Sequence, residues 1–394
     1  MSINESSIVQ LRLSVQKDGE EYTVGDKDIS TFIRVPEEAA ILVGLCDGEN
    51  SVGEVASSLK ETYGYDVDVI DFLQDLSEIG LVYSIDGEIL RNLGDRQPLV
   101  MRGSRLAGIL FSPLSVVIYS ILFLGCISLF VLFPDLFPSY DKSMVSAYTG
   151  VNVLLFFIIS WMLTLFHEFG HYLAVIRLGL PVRFQLSLRL IWLVVEADMT
   201  GLWSVEKNKR IVPYLAGIMF DTCVLFSLLV FQLLLPGTLS ELASLITFCM
   251  VIQFSMHFLI FLRTDLYFIL INALHIGNLH EAANSYLKNI MNRTKLNEIF
   301  SDWNSREYRY IKGFSSLQVC GYLFAAALLI YFIIPNLYSM LAFTYSQFMN
   351  NSVYSMAFLD GLLLVGVLLA SMVLWVIGAF NKYKETRRVA EMDN

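Results

Sequence analysis

Residues 151–171 read VNVLLFFIISWMLTLFHEFGH, an apolar run of membrane length that ends in two histidines four residues apart. On a helix, side chains at i and i+4 lie one above the other, so His167 and His171 face the same way and can share one metal ion. Glu168 lies beside them, placed to take a proton from water at that ion. Zinc suits imidazole ligands with one coordination position left open, and it lowers the pKa of its water to about 7. Three ionisable side chains inside a helix of membrane length are expensive, which marks the stretch as functional.

The surrounding chain has the same character. Its 394 residues are 55% hydrophobic with a mean hydropathy of +0.58, too apolar for a soluble protein and suited to several membrane spans. Residues 1–107 carry twenty Asp/Glu against nine Lys/Arg, so the net charge of −10 is concentrated there. An acidic head therefore precedes a membrane domain, and nucleic acid is not expected as its partner. Cys46 falls in the head, while Cys126, Cys223, Cys249 and Cys320 fall in apolar runs without a CxxC pair. They read as buried reduced thiols. The first residues, MSINESSIVQ, have neither a basic nor an apolar signal region, so no cleavable signal peptide is expected.

Six apolar runs are long enough to span: 109–133, 152–175, 211–235, 242–262, 317–334 (stopped by Pro335) and 356–380. Lysines and arginines cluster before the first run, at 177–210, at 288–312 and after the sixth. The alternate loops at 134–148, 236–241 and 335–354 hold a single lysine, Lys142. The positive-inside rule then predicts a multi-pass protein of the cell membrane, with the head, the basic loops and the tail at 381–394 in the cytoplasm. The second run enters from outside, so His167 is expected about 15 residues deep, roughly 22 Å, in the cytoplasmic half of the bilayer.

Within the head, Val9, Leu11, Leu13 and Val15 alternate with polar residues up to a break at Asp18-Gly19, which predicts short strands over 8–35. From Pro36 the period becomes helical. One helix runs from Glu37 to Leu45, stopped by Asp47-Gly48. A second starts at Ser51, with Glu54 completing a capping box, and runs to Tyr63-Gly64. A third carries Val69, Phe72, Leu73, Leu76 and Ile79 and ends at Gly80-Leu81. Arg34-Val35, Leu45-Cys46-Asp47-Gly48, Ser51-Val52, Glu54-Val55, Tyr63-Gly64, Phe72-Leu73, Leu76 and Gly80-Leu81 together resemble a PqqD-type domain. Such domains bind the leader segments of ribosomally made peptides. The resemblance covers about residues 20–90. It implies that a leader adds as an extra strand to the small sheet and lies along the third helix, on the surface of 20–35 and 66–82. By pattern alone, the same residues also fit a small winged-helix-like α+β module used for dimerisation. A polar, basic linker at 91–107 follows this domain at 1–90.

A catalytic zinc needs a third protein ligand. Asp265, in Arg263-Thr264-Asp265-Leu266-Tyr267-Phe268, ends a run that goes from outside to inside, at a depth like that of His171. His257, His275 and His280 compete with it, and His257 also reads as a hydrogen-bonded core histidine. HExxH in one span and an aspartate motif in a later one resemble the site-2 protease family of intramembrane zinc metalloproteases. The resemblance implies His167, His171 and Asp265 as zinc ligands and Glu168 as the catalytic base. In that family the aspartate stands in an LDG- or MDG-like motif. Leu266 replaces the glycine here, which puts in question the unwound turn that glycine eases. The run TDLYFILINAL, 264–274, looks like a branch of the family found beside peptide-modifying enzymes.

Three further residues are substrate-positioning candidates. Asn272 shares a helical face with Asp265 and is a candidate for orienting ligands or for a helix–helix hydrogen bond. Ala216-Gly217 and Asp221 interrupt the third run: the small pair permits close helix packing, and Asp221 is costly facing lipid and is expected to pair with a donor or shape a water path. Arg183 begins the strictly alternating segment 183–190, which has strand periodicity and is continued by the apolar run 191–195. Site-2 proteases resemble this too, with a short sheet that dips toward the zinc and holds substrate as an added strand. A helical peptide hides its carbonyls, so cleavage needs an extended segment and a strand edge to pair with. Glu196 and Asp198 read as a solvated loop.

The expectation is a polytopic α-helical membrane protein of about six spans over 108–380, with a membrane-dipping β segment at 183–200 and a small winged-helix-like α+β head. Its expected activity is that of a zinc endopeptidase acting on a ribosomally synthesised peptide precursor held by the head. The bilayer and that precursor are the expected partners, and a homo-oligomer is left open. Two rivals stand beside this: a regulatory protease of the same chemistry that cleaves a membrane-anchored signalling protein, and a non-catalytic peptide-binding adaptor, receptor or exporter.

Overall fold

Alternation in the head produces strands, as expected. The computed structural model describes residues 3–19, 21–27, 29, 31–90, 103–235, 237–277, 279–292 and 305–392; most of the linker expected at 91–107 lies outside them. In chain order the head contains β1 (Ile8–Leu11), β2 (Ser14–Asp18), β3 (Glu21–Asp26), β4 (Thr31–Val35), α1 (Glu37–Leu45), β5 (Asp47–Ser51), α2 (Val52–Ser58), α3 (Val69–Glu78), β6 (Val82–Ile85) and β7 (Glu88–Ile89). β2-β3-β4 is an antiparallel meander, and β5-β1-β6-β7 forms a second small sheet. Val24, Leu42, Val55, Leu59, Leu73, Leu76 and Leu81 fill the core between sheets and helices. The capping box is present: Ser51 Oγ accepts from the Glu54 amide at 3.3 Å, and the Ser51 amide donates to the Glu54 carboxylate at 2.8 Å. Asp47-Gly48 does more than stop α1, because the chain there pairs with the edge of β1.

The remaining elements are α4 (Ser104–Leu110), α5 (Pro113–Leu132), α6 (Thr149–Arg177), β8 (Phe184–Arg189), β9 (Trp192–Ala197), α7 (Lys207–Leu234), α8 (Thr238–His257), α9 (Asp265–Leu274), α10 (Leu279–Met291), α11 (Ser305–Leu328), α12 (Ile334–Asn350) and α13 (Met356–Met392). Among the described residues, six helices are long and apolar enough to cross a membrane: α5, α6, α7, α8, the rod made of α11 and α12, and α13. Pro335 does not end the fifth. A π-helical turn at Leu329–Ile333 precedes it, and the helix continues to Asn350. The wider turn accommodates both the missing N–H and the ring, so residues expected as loop are helical. The alternating segment and the run after it are two strands of a hairpin, β8 and β9, turned at Leu190 with φ +60°. All five cysteines are free; Cys223 is half-buried and Cys320 exposed, against the expectation that all would be buried.

The head sits on the helical domain through charge. Arg210, expected in a basic loop, lies in the first turn of α7 and is buried, 2.7 Å from Asp18 at the end of β2. Its guanidinium also donates to the Val205 and Trp203 carbonyls and packs over the Trp203 ring. Arg34 on β4 lies 3.9 Å from Asp18 and donates to the carbonyl of His275, the residue that ends α9. Asn272 does not reach the histidine pair; its amide donates to the Lys207 carbonyl at 3.3 Å and ties α9 to the start of α7. A 3-10 turn at Thr200–Ser204 also packs against β2, β3 and β4; α7 and α9, which meet the head through these bonds, carry the partners of the histidine pair.

Candidate metal and catalytic site

On α6 the helical period puts His167 and His171 on one face, both buried. Gly170 between them lets α6 and α7 touch, since a Cβ there would lie 2.7 Å from the Ala216 carbonyl oxygen. This close approach brings two acceptors of α7 onto the rings. His167 Nδ1 donates to Asp221 Oδ2 at 2.7 Å, and His171 Nδ1 donates to the Pro213 carbonyl at 2.8 Å. A carbonyl and a carboxylate only accept, so each neutral imidazole carries its proton on Nδ1 and presents a bare Nε2.

Those two Nε2 atoms are 3.0 Å apart, and Asp265 Oδ2 lies 3.0 Å from one and 3.3 Å from the other. Three acceptors gathered this closely repel unless a cation stands among them. A tetrahedral ion bonded at about 2.0–2.1 Å sets its ligand atoms about 3.3–3.4 Å apart, close to the observed triangle. Gly217 on α7 leaves the space: a Cβ there would come within 2.3 Å of His167 Nε2 and 2.6 Å of His171 Nε2. The donor set, the spacing and this cradle fit a divalent ion held by His167, His171 and Asp265.

Asp265 arrives by a route the sequence did not indicate. The fourth long helix stops at His257, a 3-10 turn covers Ile260–Leu262, and Arg263 takes a left-handed conformation with φ +60°. Asp265 is then the first residue of a new helix, α9. The unwound segment exists without the glycine, displaced to the residues before Asp265. Arg189 of β8 holds it by donating to the Leu262 carbonyl at 3.1 Å and to the Arg263 carbonyl, and it also pairs with Glu196.

Glu168 is buried and its Oε2 accepts from the Ala197 amide of β9 at 2.7 Å. Ligand atoms of His167, Glu168 and His171 lie within 4.8 Å of one another, close enough for one water between carboxylate and ion. The chain matches no protein-family model, no curated protein and no solved structure. The chemistry of the site therefore rests on its own geometry.

The other candidates are placed as follows. Asp221 joins the site through His167 and is itself held by Gln253, whose amide donates to both carboxylate oxygens at 3.1 and 3.0 Å. Arg183 is exposed, and only its carbonyl is used, closing the hairpin with the Asp198 amide. Asp198 is half-buried and accepts from Thr200 in a local turn, while Glu196, also expected in a solvated loop, lies in β9 and pairs with Arg189 and Gln185 across the hairpin. His275 is an exposed helix end, and His280 is bonded to Gln318. Burial and the positive charges of Arg263, Arg189 and Lys382 push the His280 imidazole down to about 4. Gln253 and the Ala197 amide were not singled out from the sequence, and Gly217 was singled out only as half of a small pair that permits close helix packing. Gln253 at i−4 from His257 was the one visible signal, a polar pair on one face of an apolar helix.

Proposed function

We propose that this chain is a zinc-dependent intramembrane endopeptidase. The observation that carries the reading is the convergence of His167 Nε2, His171 Nε2 and Asp265 Oδ2 with the Glu168 carboxylate beside them. Two imidazoles and one carboxylate with an open fourth position are a catalytic zinc set, whereas structural zinc sites are closed by four protein ligands. A bilayer setting is supported by the six apolar helices and by their outward side chains, such as Leu114, Ile121, Leu124 and Val131 on α5, which are exposed. The basic segments at 177–210, at 288–312 and after 380 favour a cytoplasmic head and tail.

When bound, zinc polarises the scissile carbonyl and makes water nucleophilic near neutral pH. Glu168 takes the proton from that water and returns it to the departing amine. Substrate is held by the outer edge of β9. The Asp198 amide bonds to Arg183 of the other strand, so by alternation the backbone groups of Leu193, Val195 and Ala197 face away from β8. The Ala197 amide reaches Glu168, so an extended peptide along this edge runs beside the base. The opposite edge is occupied: Asn381 of α13 donates to the Leu186 carbonyl at 3.0 Å. The small α+β head, docked next to α7 and α9, supports a peptide precursor as substrate, with the leader captured by the head.

The test uses the full chain reconstituted in lipid, with zinc content and cleavage of a quenched-fluorescent extended-peptide library as readouts. Glu168→Gln keeps an acceptor for the Ala197 amide and all three ligands. It is expected to retain stoichiometric zinc and lose at least 10³-fold in cleavage rate. Unchanged cleavage in that variant, or wild-type protein without zinc, refutes the proposal.

A further inference from the structure

His257 has no part in the proposed ligand set, yet it is built into the pocket. It is the last residue of α8. Its ring stacks on that of His167 with centroids 4.9 Å apart and planes 21° apart. The two nitrogens of His257 thus face the two carboxylates that His167 also contacts: Nδ1 is 3.5 Å from Asp265 Oδ2, and Nε2 is 3.9 Å from Asp221 Oδ2. Its side chain is 13% exposed, and its Nε2 is buried without a hydrogen-bond partner. The backbone reaches the same place, since the His257 carbonyl accepts from Thr264 Oγ1, one residue before Asp265, at 2.7 Å.

Asp265 needs such support. It opens a helix directly after an unwound segment. Where His167 and His171 ligate a metal through Nε2, neither has a hydrogen left to donate to the Asp265 carboxylate. His257 Nδ1 is the remaining imidazole nitrogen within 3.5 Å of it among the described residues. We infer that His257 is a positioning residue for the metal: its Nδ1–H holds Asp265 Oδ2, the oxygen that faces both Nε2 atoms, and keeps the carboxylate in the orientation that binds. Partners that orient ligating carboxylates commonly change metal affinity by about 10- to 100-fold. This inference rests on the reading of the cluster as a zinc site.

Two amide side chains separate the nitrogens. Asparagine places its Nδ2 where histidine has Nδ1, and glutamine places its Nε2 where histidine has Nε2. In the full-length protein, zinc affinity is measured by competition with a chromophoric chelator, and ligand geometry by the visible absorption of the cobalt(II)-substituted form. His257→Asn is expected to keep zinc affinity within about threefold of wild type and an unchanged cobalt spectrum. His257→Gln and His257→Ala are expected to lose about 10- to 100-fold and to change the cobalt bands as Asp265 loses its fixed orientation. If His257→Ala fails to fold, the Asn and Gln pair decides. Equal affinity in all variants, equal loss in all variants, or rescue by Gln instead of Asn overturns the inference. Wild-type protein that binds neither metal refutes the zinc reading itself.

Discussion

Gly217→Ala is the sharpest perturbation of the pocket, because it adds one methyl group at the point where the ion is expected. The added carbon would lie 2.3 Å from His167 Nε2 and Cε1 and 2.6 Å from His171 Nε2. Ordinary carbon–nitrogen contact is about 3.4–3.5 Å, so the rings must retreat by roughly 1 Å. They cannot do so freely. His167 is tied at Nδ1 to Asp221 at 2.7 Å, and His171 to the Pro213 carbonyl at 2.8 Å. Zinc–ligand bonds tolerate shifts of only about 0.2 Å. At least one imidazole bond is therefore lost, and zinc binding is expected to weaken by 100-fold or more, about 2.7 kcal/mol. The helix itself gains about 1 kcal/mol from replacing an interior glycine, against roughly 1–3 kcal/mol of overpacking, so the protein still folds. Zinc is quantified by elemental analysis of the purified protein and by chelator competition, with thermal unfolding as the control for folding. A Gly217→Ala protein that folds and holds zinc within threefold of wild type would refute the placement of the ion.

Two other substitutions test how the rest of the chain supports the site. Arg210→Ala leaves Asp18 buried with Arg34 at 3.9 Å and Lys207 nearby, and is expected to cost about 3–5 kcal/mol, read as a lower unfolding temperature and faster proteolytic release of the head. Replacing both members, as Asp18→Asn with Arg210→Met, is expected to cost less than the single change, and a larger loss in the double variant would refute the pairing. His280 provides a pH dependence. Its imidazole is held at about 4 in the folded protein against the ordinary 6.5, so the unfolded chain takes up the proton first. The associated stability is complete above about pH 6.5 and declines as pH falls through 6.5 toward 4. Comparing unfolding temperatures at pH 7.5 and 5.0, wild type is expected to lose more than His280→Gln, and equal losses would remove His280 as the cause.

The elements of this protein are written in short-range patterns. A 3.6-residue period puts His167 and His171 on one face, strict alternation makes the hairpin of β8 and β9, and Ser51 with Glu54 starts α2. Six apolar runs correspond to six long helices. Such features depend on neighbours within a few residues, so they are legible without the fold. Asp265 was also reachable, as a carboxylate stranded beside an apolar run.

What local pattern cannot contain is who meets whom. The partners of His167 lie 54 and 98 residues away, and the amide that holds Glu168 lies 29 residues on. Gly217 matters only because α6 and α7 approach closely enough for its missing side chain to leave room. The break between His257 and Asp265, the placement of His257 over His167, the passage of the helix through Pro335 and the burial of Arg210 against Asp18 follow from packing between distant segments. Sequence determined which segments are helix and strand and which carry the candidate ligands. Only tertiary contact decided the geometry of the pocket, because close packing, not periodicity, brings three acceptors to one point.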